Sequence, residues 1–219
     1  MPALIARWSN DVTALSPGAD PDRVLDTGAD LLRRWTQPHR HYHTTQHLAE
    51  VFWALEEVLD DEPLARVGRL AGWLHDAVYA VGPAAGANER LSAELARDLL
   101  PPLGIDSATV QTVGELVEMT ADHDPAAGSS LGDAFHDADL WILSAPPLRF
   151  DEYCDQVRAE YAQVPDTSYA QGRGAILQPL LQRDQLYRTS HAQTTWTDAA
   201  RRNLTRELDR LATTTLSTP

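Results

Sequence analysis

Apolar residues recur at helical spacing through almost the whole chain, and this restricts the fold more than any other feature. Val24, Leu25, Gly28, Leu31, Leu32 and Trp35 trace one face of a helix opened by Asp20-Pro21, an N-cap followed by proline at the first helical position. The same period predicts helices over residues 44–59 and 64–78, one from Asn88 until Pro101-Pro102 breaks it, and one from Asp106 or Ser107 to about Ala121. Shorter helical patterns follow over residues 134–143, 150–161, 169–182 and 196–211. Small and polar residues predict loops over residues 81–87 and 124–132. No run alternates β-branched with polar residues as a half-buried strand would. Trp53, Trp73, Trp141 and Trp196 sit among apolar neighbours and are expected in the core. The chain therefore reads as all-α. Without a repeat or a long linker, it reads as one helical domain over residues 1–219, with a core at about 35–145 and further C-terminal helices at about 146–212.

Composition narrows the function classes. The net charge is −14 and all 18 basic residues are arginine, so no Schiff-base or P-loop lysine exists. That acidity argues against nucleic-acid polymers and anionic membranes as partners. A small phosphate ester stays open, because a metal and a few arginines reverse the field locally. No apolar run is long enough to cross a bilayer, and Met1 to Asn10 lack the basic and apolar regions of a secretory leader. Cys154 is the only cysteine, which rules out an intramolecular disulfide and fits a reducing cytoplasm.

Histidines and acids gather in three places. His39-Arg-His-Tyr-His43 runs into Thr44-Thr-Gln-His47, so His43 and His47 are expected on one side of a helix. His75-Asp76 falls inside an apolar helical pattern, and His136-Asp-Ala-Asp139 precedes Leu140-Trp-Ile-Leu143. Each alone has an ordinary structural explanation: a surface His-Asp pair, a core histidine, a helix cap. Charged groups within apolar helices, however, are costly to bury unless paired or bound to a metal, and two imidazoles with two carboxylates suit a divalent cation. Mixed nitrogen and oxygen donors favour Mn²⁺, Fe²⁺, Co²⁺, Ni²⁺ or Zn²⁺, with Mg²⁺ also open.

The order His, His-Asp, Asp on successive helices resembles the HD superfamily of metal-dependent phosphohydrolases. Arg40-His-Tyr-His-Thr44 with His47, Trp73-Leu-His-Asp-Ala-Val-Tyr79, Asn88-Glu89 with Ser92-Ala93, and Asp137-Ala-Asp-Leu140 are similar to a subfamily of predicted bacterial HD hydrolases. Val157-Arg-Ala-Glu-Tyr161, Gly172-Arg173 and Ala200-Arg201 with Asn203-Leu204 extend the likeness. The resemblance implies His47, His75, Asp76 and Asp139 as metal ligands. Tyr42-His43 with His47 also resembles a segment of cyclic-nucleotide phosphodiesterases in which the earlier histidine faces the phosphate; Thr44 stands where those enzymes carry asparagine. His43 is thus expected as general acid or phosphate contact, and Arg40 as the phosphate-binding fork.

Some nucleotidases of the superfamily carry a glutamate three residues beyond the His-Asp. Tyr79 occupies that place here, which leaves Glu89 as the candidate for positioning water, or as a simple favourable acid at a helix start. His123 could widen the site to a second metal, Arg173 could contact substrate, and His39, His41 and His191 read as surface groups or neighbours of ligands. The implied activity is hydrolysis of a phosphomonoester or phosphodiester of a small, nucleotide-like substrate. A di-iron oxygenase and a non-catalytic metal- or nucleotide-binding regulatory module are the alternatives.

Overall fold

The computed structural model describes residues 2–82, 84–126 and 128–216, with side chains as far as residue 214. Pro83 and Ala127, in the two predicted loops, lie outside the described residues. Among the described residues the chain forms eleven α-helices and no strand, in keeping with the all-α reading. They fall into two compact units, Met1–Asp139 and Leu140–Pro219. The first holds α1 (Pro2–Leu15), α2 (Pro21–Trp35), α3 (Thr45–Val58), α4 (Glu62–Leu74), α5 (Ala87–Leu99), α6 (Ser107–Met119) and α7 (Ser130–Asp139). The second holds α8 (Pro147–Glu160), α9 (Asp166–Gln182), α10 (Ser190–Thr195) and α11 (Thr197–Leu216). No helix among the described residues is long and apolar enough to cross a membrane.

Local chemistry starts the helices of the first unit. The carboxylates of Asp20, Asp61 and Asp106 and the hydroxyl of Thr44 each accept from amides of the first turn that have no partner within the helix. Packing is organised by three fully buried indoles. Trp8 donates to the Val24 carbonyl at 2.8 Å, Trp35 donates to the Trp73 carbonyl at 2.9 Å, and Trp8 meets Trp73 edge-on. Helix α3 lies against both α4 and α7. A Cβ on Gly72 would come within 2.7 Å of the Phe52 ring, so only glycine lets α4 approach α3 this closely. Beside that contact, Arg69 grips buried Asp11 with both prongs of its guanidinium, at 2.6 and 2.8 Å, and also reaches Glu62. Burial works against the Arg69 charge, but these two carboxylates outweigh it and raise its pKa.

The second unit is tied by side chains that satisfy carbonyls of the short 3-10 turn Leu140–Ser144 and its exit. Tyr187 donates to the Leu140 carbonyl, and buried Asn203 donates to those of Leu143 and Ala145. Helices α9 and α11 pack on each other.

Several details differ from the sequence expectation. Helices α1 and α10 lack a predicted counterpart, and α7 begins at Ser130, inside the predicted loop. Helix α4 ends at Leu74 rather than near Val78, which puts His75-Asp76 just past its last turn. Asn88 caps no helix: its amide group bridges the backbone N–H and carbonyl of Ala80, while Gly86, at φ 74°, opens α5. Trp53 is 46% exposed, because Phe52 and Ala54 on either side of it take the inward positions of α3.

Candidate metal centre

Three helices of the first unit bring His and Asp side chains together. His47 comes from the first turn of α3, His75 and Asp76 from the exit of α4, and Asp139 from the last position of α7. His47, His75 and Asp139 present ligand atoms that all lie within 4.8 Å of one another. Among the described residues no second group of three such donors is found. Asp76 adds its Oδ2, 3.1 Å from His75 Nε2 and 3.7 Å from His47 Nε2.

Hydrogen bonds behind the rings fix which nitrogen faces the other donors. His75 Nδ1 lies 2.9 Å from the Gly72 carbonyl, which can only accept, so Nδ1 carries a proton and Nε2 points to the cluster. His47 Nδ1 lies 3.0 Å from the Tyr42 hydroxyl, and its Nε2 is 3.1 Å from His75 Nε2. Two nitrogen lone pairs at that distance repel unless a cation or a proton lies between them. Either ring can carry that proton, and the surroundings of His75 act on its charge in two directions. Burial disfavours its charged form, yet Asp76 and Asp139 outweigh burial and raise its pKa well above the ordinary histidine value. The opposite holds for the acids. Burial alone would raise both, but the His75 charge, joined by His43 at Asp76 and by His47 at Asp139, holds both below the usual carboxylate range.

The spacing fits a metal ion in place of that proton. For bonds of about 2.1 Å, ligands at right angles lie about 3.0 Å apart and tetrahedral ones about 3.4 Å. The His47–His75 and His75–Asp76 separations of 3.1 Å and the His47–Asp139 separation of 3.2 Å match right-angle pairs, and His75–Asp139 at 3.4 Å is the wider kind. The His47–Asp76 pair, at 3.7 Å, is wider than either kind, and ligands at such angles leave further coordination positions. The His47 and His75 side chains are 4% and 2% exposed, whereas those of His43, beside Asp76, and His123, beside Asp139, are 21% and 19% exposed.

The other predicted residues divide. His43 lies before the N-cap of α3, not on the helix, but its Nε2 still comes within 3.9 Å of Asp76 Oδ2, and its ring stacks on Tyr79 at 4.1 Å. His123 Nε2 is 3.8 Å from Asp139 Oδ2, the oxygen opposite the one that faces His47 and His75. Its backbone is left-handed (φ 54°), a conformation that costs a non-glycine residue about 1 kcal/mol.

Arg40 does not offer its fork to a substrate. It is buried and donates to the carbonyls of His43, Asp76 and Ala77. Among the described residues, half-buried Glu89 engages no side-chain hydrogen bond or ion pair. Arg173 belongs to the second unit, where its guanidinium donates to the Tyr153 hydroxyl and lies over that ring. Sequence reasoning missed Tyr42 and the Gly72 carbonyl as orienters of the two imidazoles. Only the adjacency of Tyr42 to His43 hinted at the first.

No family model, curated protein or solved structure matches this chain. Fold and site define an all-α protein with a buried His/Asp cluster that could hold a metal ion.

Proposed function

We propose that this chain is a metal-dependent phosphohydrolase of the HD superfamily, acting on a small, nucleotide-like phosphate ester. The observation that carries this reading is that His47, His75 and Asp139 present ligand atoms all within 4.8 Å of one another, with Asp76 Oδ2 3.1 Å from His75 and His43 Nε2 3.9 Å from Asp76. Those four residues would hold a divalent cation, which supplies Lewis acidity to acidify water and neutralise phosphoryl charge. His43, half-exposed and facing Asp76, would hand a proton to the leaving oxygen. Asp76, kept ionised by its imidazole neighbours, would accept a hydrogen bond from the attacking water and orient it. Tyr79 would hold the His43 ring through their stacked contact. A two-metal reading, which includes the di-iron oxygenase, draws support from His123 facing the outer oxygen of Asp139.

Metal analysis of the purified protein together with a phosphate-release screen tests this. One equivalent of a first-row metal or Mg²⁺, with turnover of at least one ester, is expected. Asp76→Ala should lower both occupancy and turnover at least about 100-fold, more than the loss of a supporting residue outside the ligand set. Full occupancy and turnover in that variant would show the site to be misassigned. A filled site without turnover across the panel favours the regulatory module, and two irons with oxygen uptake favour the oxygenase.

A further inference from the structure

We propose that Arg40 is a positioning residue that locks the backbone segments carrying His43 and Asp76 into the geometry the metal centre needs. This rests on the metal-site reading above. Helix α4 stops at Leu74, so the carbonyls of the turn that follows have no partners within the helix. Arg40 supplies them. Its Nη1 donates to the Asp76 carbonyl at 2.8 Å and to the His43 carbonyl at 3.1 Å, and its Nη2 reaches the Ala77 carbonyl at 3.4 Å. Its Nε donates to the Gln37 side chain at 3.2 Å. The guanidinium carbon also lies over the rings of Trp35 and Tyr79, 5.6 and 5.3 Å from their centroids.

One cation therefore binds the peptide of His43, at the entrance to α3, and the peptide of Asp76, at the exit of α4. These two side chains face each other, His43 Nε2 lying 3.9 Å from Asp76 Oδ2. The planar fork reaches three carbonyls and the Gln37 side chain from three separate nitrogens, four acceptors that the single ammonium of lysine, with three donors on one nitrogen, cannot match. Because the inward N–H groups are spent on the backbone, Arg40 acts on ligand geometry rather than on a phosphate.

The test measures affinity for Mn²⁺ alone by chelator competition, with circular dichroism as the check on folding. Arg40→Lys should keep the helical spectrum and weaken Mn²⁺ binding about 10- to 100-fold, the usual effect of losing a group that orients metal ligands. Arg40→Ala should regain part of its lost affinity on addition of millimolar guanidinium ion, a recovery that a general loss of stability would not give. Mn²⁺ affinity of Arg40→Lys within twofold of wild type overturns the proposal. If Arg40→Lys fails to fold, Tyr79→Ala decides: it removes one of the two rings that hold the guanidinium and should weaken Mn²⁺ binding several-fold, and an unchanged affinity overturns the positioning role. Wild-type protein that binds neither Mn²⁺ nor any other divalent cation overturns the metal-site reading itself, and this inference falls with it.

Discussion

Replacing Tyr42 by phenylalanine deletes one oxygen and probes the tautomer on which the centre depends. A metal ion on His47 Nε2 requires the proton on Nδ1, and the hydroxyl 3.0 Å away then accepts it. In Tyr42→Phe the buried Nδ1–H loses that acceptor, at a cost of about 1–3 kcal/mol if it stays in place. The metal-free protein has an escape. His47 can move its proton to Nε2 and donate to Asp139 Oδ1, 3.2 Å away, so the variant should unfold within about 1 kcal/mol of wild type in urea. A bound metal closes that escape and forces the unpaired Nδ1–H back.

The variant should therefore bind Mn²⁺ or Zn²⁺ about 10- to 100-fold more weakly in chelator competition, with little change in metal-free stability. The sign of the effect decides the question. If the Tyr42 hydroxyl instead donates to Nδ1, it favours the tautomer that cannot bind metal at Nε2, and its removal would tighten binding. Unchanged or tighter binding in Tyr42→Phe refutes the orientation argued for His47.

Two further predictions concern stability. Asp11→Ala strips Arg69 of its bidentate partner while leaving Glu62 at 2.8 Å, so it should cost about 2–3 kcal/mol, less than a fully orphaned buried charge, and lower the thermal midpoint by about 4–12 °C; a shift under about 1 °C would show the pair to be energetically idle. Burial, reinforced by the Glu207 charge, pushes the Cys154 thiol from its ordinary value of 9.0 up to about 12. Its contribution is complete below pH 9 and is lost as pH rises toward 12, because the unfolded thiol ionises first; wild type should lose about 2–3 kcal/mol more than Cys154→Ala between pH 9 and 11, and equal slopes would refute this.

What could be read from sequence was what depends on near neighbours. Asp20 caps its helix as expected, and Asp106, one of two candidates, caps α6, since a cap needs only amides two or three residues away. The apolar flanks of His75-Asp76 and His136-Asp-Ala-Asp139 marked groups too costly to bury idly, and the structure brings His75, Asp76 and Asp139 together with His47. What stayed hidden depends on distant partners. Helix α1 has no predicted counterpart, because its inward face of Trp8, Asp11 and Val12 includes a carboxylate that is tolerable only with Arg69 of α4. The apolar period of α4 continues to Val78, yet the helix ends four residues earlier, where Arg40 from outside it takes up the freed carbonyls. The charge of Arg40 suggested a phosphate contact. Only the structure shows it buried against Trp35 and Tyr79, with its Nη groups donating to backbone carbonyls.

The donor residues share a placement that explains this division. His43 precedes α3, His75 and Asp76 follow the last turn of α4, and His123 follows α6; of the two that lie within helices, His47 is in the first turn of α3 and Asp139 is the last residue of α7. A side chain in mid-helix has its direction fixed by the helix axis, so helices crossing at ordinary packing distances seldom aim several donors at one point. At a helix end the backbone can turn, and its unpaired carbonyls and amides become attachment points for neighbouring side chains. The Gly72 carbonyl orients His75, and the carbonyls of Asp76 and Ala77 anchor Arg40. The apolar helices thus set where the cluster lies, while groups that would touch no metal set where its donors point. It follows that Tyr42→Phe and Arg40→Lys, which leave every donor atom in place, should weaken metal binding more than they weaken the fold.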